Sequence, residues 1–223
     1  MGKKLFTTQN LVTISLLAGI AYVVMLFGRI PMPLVSGIDL KYDPKDIVIV
    51  MSGFLFGPLP MILISAVVSF IEMFTVSETG WIGLIMNIVS TCSFSLPAAI
   101  IYKSRHSIKR AVIGLIIGCI FMVTVMLLWN YFLVPLYLGV PRDVVVGMLT
   151  PVFLPFNLIK GGLNAALAML LYKPLSNILR KINLMPKYDS SVEKGKVKIS
   201  VILVSGFVII TGVLFILVIQ GKI

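Results

Sequence analysis

The stretch PVFLPFNLIKGGLNAALAMLLY, Pro151–Tyr172, decides how the rest of this chain is read. It is long and apolar enough to cross a bilayer, yet it carries Lys160 about ten residues in, where an ammonium ion costs roughly 2.5–3.5 kcal/mol or more. At about 100° per residue, Asn157, Lys160 and Asn164 fall within a sector of roughly 60°, so one helix face holds a polar line. Gly161 and Gly162 leave the neighbouring surface bare enough for close approach by a helix or a ligand. An intramembrane lysine between two carboxamides marks a binding site; the plainer alternative is a lysine that snorkels or pairs with a buried acid to hold helices together.

Composition agrees with a membrane setting. The 223 residues are 59% hydrophobic with a mean hydropathy of +1.08, too apolar for a soluble domain. The net charge of +11 would suit nucleic acid if spread over a soluble surface, but the basic residues cluster in short loops. That pattern is membrane topology, and no nucleic-acid partner is expected. Cys92 and Cys119 both lie inside apolar runs, which argues against a disulfide framework or a metal site. The single histidine, His106, sits in a basic loop, so no histidine relay is expected.

Hydropathy places spans near 9–30, 44–57, 58–76, 81–102, 110–138 and 151–172, with a seventh near 199–219. This predicts an all-α membrane protein: a six-helix domain over 1–181, a basic inner linker over 182–198, and an extra C-terminal transmembrane helix with a short outer tail. Gly57-Pro58-Leu59-Pro60 breaks one long apolar run into two and reads as a tight inner reversal, leaving the second span short, tilted or partly embedded. With the N-terminus inside, thirteen of the nineteen Lys and Arg fall in inner segments, among them Lys3, Lys4, Lys103, Lys109, Arg110 and Lys173. Arg29, Lys41, Lys45, Arg142 and Lys222 fall outside. This asymmetry fixes the orientation.

Depth along each span then brings Asp46, Glu72, Asn87, Asn130 and the Asn157/Lys160/Asn164 face to the outer half of the bilayer. Polar groups from five spans at one depth predict a cavity open to the outside, although one such residue alone is ordinary interhelical glue. The outer loop Arg29–Asp46, rich in Pro, Gly and Asp, is suited to fold over that cavity as a lid. Tyr42, Trp81, Trp129, Tyr131 and Phe156 near the rim can stack on a flat ligand, though about half should belong to the interfacial aromatic belt. In the first helix, Ser15 and Gly19 are four apart, and Ala18 and Ala21 widen a small-residue strip on which another helix, internal or foreign, can pack. The chain contains no phosphate-binding loop, no inverted repeat and no nucleophile–base set; the serine-rich Ser90–Ser95 reads as helix packing.

Several segments together carry a family resemblance: LKYDPKDI (Leu40–Ile47), SGFLFGPLPMILIS (Ser52–Ser65), the TGxxGxxxN pattern at Thr79–Asn87, NYFLVPLY (Asn130–Tyr137) and PFNLIKGGLN (Pro155–Asn164). From about Leu11 to Lys181 the chain resembles the substrate-binding S components of energy-coupling-factor (ECF) vitamin transporters, and most of all their riboflavin-specific branch. The resemblance implies a six-helix S component in a bacterial plasma membrane, with riboflavin as transported ligand rather than cofactor. It also implies a separate transmembrane coupling protein and two ATPase subunits. It matches Leu40, Asn130, Asn157 and Lys160 to positions that contact the isoalloxazine ring, and the Ser15, Ala18, Gly19, Ala21 strip to the surface that docks on the coupling protein. Two departures stand out. An acidic residue followed by lysine in the third helix is replaced by Phe70-Ile71-Glu72-Met73, and a seventh span follows the sixth. Competing readings are an S component for flavin mononucleotide (FMN) or another vitamin, a stand-alone small-molecule transporter, or an intramembrane enzyme using Glu72 or Asp46 as base.

Overall fold

The computed structural model describes residues 7–32, 40–104, 106–181 and 199–221. The middle of the expected lid (33–39), the inner linker 182–198, Lys3, Lys4 and Lys222 lie outside the described residues. Helix α1 (Thr8–Gly28) opens on Thr7, whose side chain accepts the Asn10 N–H at 3.2 Å, a standard N-cap. The chain then folds back as a two-stranded ribbon, β1 (Ile30–Pro31) against β2 (Lys41–Tyr42), with Ile30 opposite Tyr42. Met32 N–H donates to the Leu40 carbonyl at 2.7 Å, closing the described end of the ribbon.

Helix α2 (Lys45–Phe56) has 12 residues, about 18 Å, too short for a hydrocarbon core of about 30 Å. Every residue from Lys45 through Leu55 is buried, so the expected second span is instead a core helix enclosed by α1, α3, α4 and α7. Such all-round burial is what a helix apolar on every side requires. Gly57, at φ 93°, and Pro58 make the expected reversal into α3 (Pro58–Thr75). There follow α4 (Gly80–Ser104) and α5 (Ile108–Leu138), the latter closed by Gly139 at φ 65°. A short α6 (Arg142–Met148) and a π turn (Leu149–Phe153) run directly into α7 (Leu154–Lys181). The connection before this span is thus largely helical. Helix α8 (Ile199–Ile219) completes the described chain.

Six helical segments among the described residues are long and apolar enough to cross a membrane, including Val201–Ile219. Large apolar side chains such as Phe27, Phe74, Trp81 and Phe207 point outward, as a lipid-facing surface demands, and the protein is a multi-pass membrane protein. The half of the bundle away from the ribbon is packed by Phe54, Phe94, Tyr102, Met122, Met169 and Tyr172, with Phe54 and Tyr102 ring centroids 4.7 Å apart. A Cβ at Gly161 would lie 2.5 Å from Cys119 Sγ, so the glycine exists to let α5 approach α7. The half beneath the ribbon is different in kind, because its centre is polar.

Candidate functional site

Two prolines shape the start of α7. Pro151 and Pro155 lack N–H groups, so regular i→i−4 bonding fails around them, and the backbone relaxes into a π turn in which Leu154 N–H reaches Leu149 O. Such turns re-aim the residues that follow and are frequent at functional sites. Below this one, Asn157, Lys160 and Asn164 are 1%, 5% and 1% exposed, all directed into the bundle as the helical spacing predicts.

The facing wall is the N-terminus of α2, where Asp43-Pro44-Lys45-Asp46 turns the ribbon into the helix. Pro44 caps α2 and Asp46 sits in its first turn, where the helix dipole favours a carboxylate. Asp46 accepts the Thr91 hydroxyl at 2.6 Å and the Asn164 amide at 3.3 Å, and its carboxylate lies 3.5 Å from Lys160 Nζ. Lys160 Nζ also donates to Ser90 Oγ at 3.4 Å. Beside this pair, Glu72 of α3 takes both Lys45 and Arg29, and Arg29 Nε donates to Asp43 at 2.6 Å. Three cations, Arg29, Lys45 and Lys160, thus face three acids, Asp43, Asp46 and Glu72, and the cluster is neutral. Buried charges persist only when paired in this way.

The ribbon is tied to the same cluster. Tyr42 donates its hydroxyl to Asn164 Oδ1 at 2.9 Å. Burial, and then Asp46 and Asp43, push the Tyr42 phenol well above its ordinary range, which keeps it a donor. Burial alone would raise the Asp43 carboxyl, but Lys45, Lys160 and Arg29 outweigh it and hold the group below its ordinary value.

Above the cluster is a cavity of about 180 Å³, with Arg29, Leu40, Glu72, Asn87, Ser90, Phe156, Asn157 and Lys160 among its walls. Of the residues expected from sequence, Leu40, Glu72, Asn87, Asn157 and Lys160 meet there. Asp46 and Asn164 stand behind the wall and hold Lys160 and Tyr42 in place. Asn130 is buried on α5, one turn from the wall residue Met126, but does not itself line the cavity. Among the rim aromatics Phe156 lines the cavity, whereas Trp81 is exposed. On α1, Ser15 and Gly19 are exposed and Ala18 is half-buried, but Ala21 turns inward and is fully buried against α2 and α3. Ala21 therefore leaves the outward strip, for a plain reason: it lies two residues past Gly19, on the far side of the helix.

Sequence reasoning missed Arg29, Asp43, Lys45 and Ser90. Arg29 and Lys45 read from sequence as outer-side charges, Arg29 also as a cation for an FMN phosphate; the structure adds that Lys45 is 0% exposed and Arg29 is ion-paired twice. The signal was the alternation Asp43, Lys45, Asp46 at the mouth of an apolar helix, together with a buried Glu72 that required a cation. Ser90, read from sequence as helix packing, accepts from Lys160 with its hydroxyl.

Comparison with known proteins places this geometry. Residues 9–172 match the family described as ECF transporter, substrate-specific component. The riboflavin transporter RibU of Staphylococcus aureus (strain TCH60) is 34% identical over 190 residues, covering 81% of this chain and 98% of that protein. The riboflavin transporter FmnP of Bacillus subtilis (strain 168) is 29% identical over 167 residues, covering 69% and 84%. A solved S component of a bacterial ECF transporter superposes with a TM-score of 0.62 at 35% identity, over 76% of this chain and 96% of that one. The match spans the bundle that carries the cavity and ends before α8, and the chain belongs to the substrate-specific components of ECF transporters.

Proposed function

We propose that this chain captures riboflavin in the cavity above Lys160 from the outer side of a bacterial plasma membrane, with its N-terminus in the cytoplasm. A separate transmembrane coupling protein and two ATPase subunits then drive the vitamin inward. The observation that carries this reading is a neutral, lysine- and carboxamide-walled cavity in a chain whose similar relatives are named riboflavin transporters.

The chemistry suits that ligand. Isoalloxazine is flat and largely apolar, with a uracil-like edge of carbonyl acceptors and one N–H. Lys160 Nζ can donate to the carbonyl edge, and the amides of Asn157 and Asn87 can serve both kinds of group. Leu40, Met126 and Phe156 supply apolar wall for the ring, as in most small-molecule sites. In so dry a place each unmet polar group costs about 1–3 kcal/mol, which rejects rings with another edge pattern. The cavity is smaller than the ~300–1,000 Å³ typical of ligand sites, so entry of the vitamin requires its rim to move outward.

Riboflavin is favoured over FMN by the disposition of the outer cations. A phosphate needs uncommitted positive charge at the cavity, but Arg29 is held by Asp43 and Glu72, Lys41 pairs with Glu78 at 3.3 Å, and Arg142, over Tyr131, is not among the cavity walls. Glu72 and Asp46, the two acids at a depth suited to a general base, are likewise engaged. For the coupling protein, the exposed Ser15 and Gly19 with Ala18 offer a close-packing strip on α1. The test is the visible absorption spectrum of the purified chain together with displacement by FMN. A co-purifying flavin that riboflavin displaces far better than FMN is expected; a colourless protein that takes up neither refutes the reading.

A further inference from the structure

Helix α8 lies beyond the family match, which ends at residue 172, yet its outer end touches the ribbon over the cavity. Gln220, one residue past α8, donates its side-chain amide to the Pro31 carbonyl of β1 at 2.9 Å. One turn earlier, Ile216 is buried in a cluster with Met32 and Tyr42 of the ribbon and Phe156 and Leu163 of α7. A Cβ at Gly212 would lie 2.7 Å from Leu163 Cδ2, so α8 is seated closely enough on α7 to serve as a fixed post. From the ribbon the contacts continue inward: Tyr42 to Asn164, Asn164 to Asp46, Asp46 to Lys160.

We propose that α8 is a latch, in which Gln220 and Ile216 act as positioning residues that hold the ribbon down over the cavity and slow ligand exchange. The reasoning is physical. A two-residue antiparallel pair is too short to be stable alone, so something else must fix the ribbon. Two sets of anchors do so: on the cavity side the Tyr42–Asn164 bond with the Lys41–Glu78 and Arg29–Asp43 ion pairs, and on the other side the α8 end. Removing the second leaves the ribbon hinged on the first, and it opens more often. The consequence for ligand exchange rests on the riboflavin reading above, whereas the consequence for the ribbon itself does not.

The test uses the full chain in lipid nanodiscs with three single variants: Gln220→Glu, which replaces the amide donor with a carboxylate facing a carbonyl; Ile216→Ala, which empties the buried wedge; and Val218→Ala, an exposed position on the same helix. Two rates are measured: amide hydrogen exchange at Met32 without ligand, and riboflavin dissociation in a chase experiment. Both should rise about threefold to tenfold in Gln220→Glu and Ile216→Ala, the loss of roughly one hydrogen bond or contact, with Val218→Ala and the melting temperature of Gln220→Glu unchanged. Exchange within about twofold of the parent in the first two variants, or an equal rise in Val218→Ala, overturns the latch. If the parent chain takes up no riboflavin, the ligand reading fails and the amide-exchange arm still decides the latch.

Discussion

Glu72 sits between Lys45 and Arg29 with its side chain buried, and that arrangement sets what single substitutions do here. Glu72→Gln removes one acid, strands the fully buried Lys45 and leaves Arg29 with Asp43 alone, a loss of about 3–5 kcal/mol. Thermal unfolding should show a large drop, and Glu72→Gln combined with Lys45→Met should recover part of it, because the second change removes a stranded charge. Asp43 gives a pH dependence of definite sign. Its carboxyl is held below the ordinary 3.8 in the folded chain, so its contribution is complete above that value and is lost as pH falls through the lower, folded one. Melting temperatures below about pH 4 should fall less steeply in Asp43→Asn than in the parent. At this scale the α7 face was legible, since Asn157, Lys160 and Asn164 announce their common direction by helical spacing alone. Arg29 and Lys45 were not: a cation beside a loop satisfies a topology rule whether or not it faces water, and only the fold reveals that Glu72 awaits it.

At the level of elements, the reversal between α2 and α3 depends on one backbone conformation. Gly57 has φ 93° and ψ −179°, a region essentially reserved for glycine, while an added Cβ would meet nothing within 4 Å. Gly57→Ala should therefore cost about 1–3 kcal/mol through the backbone alone, lowering the melting temperature while leaving ligand affinity per folded chain unchanged. The proline pair made this turn readable from sequence. The fate of α2 was less so, because a short apolar run reads alike whether it is tilted in lipid or enclosed by other helices. The joining of α6, the π turn and α7 was also hidden, since Pro151 and Pro155 signal a break in sequence and the backbone answers with a change of helical pitch. Gly161→Leu would separate α5 from α7 by adding bulk against Cys119 and Met122; reduced expression and a lowered melting temperature are the expected outcome.

Across the whole molecule, an apolar half away from the ribbon carries the packing and a neutral cluster of six charges organises the half beneath it. The sequence conveyed the membrane class, the order of the helices and the inward polar face of α7, because these follow from periodicity and hydropathy; its count of spans was one too high, since α2 is enclosed by other helices. It did not convey which charges pair, nor that α8 returns to touch the ribbon, since those depend on contacts between Pro31 and Gln220 or between Arg29 and Glu72 that lie far apart in the chain. The central claim is that Lys160, carried by α7 and backed by Asp46, recognises the flavin edge. Its most direct test is a riboflavin titration of the purified chain beside Lys160→Ala, each normalised to folded protein. The account predicts one flavin per chain and affinity weakened by about ten- to a hundredfold in the variant; equal affinity in both, or no saturable binding by the parent, would contradict it.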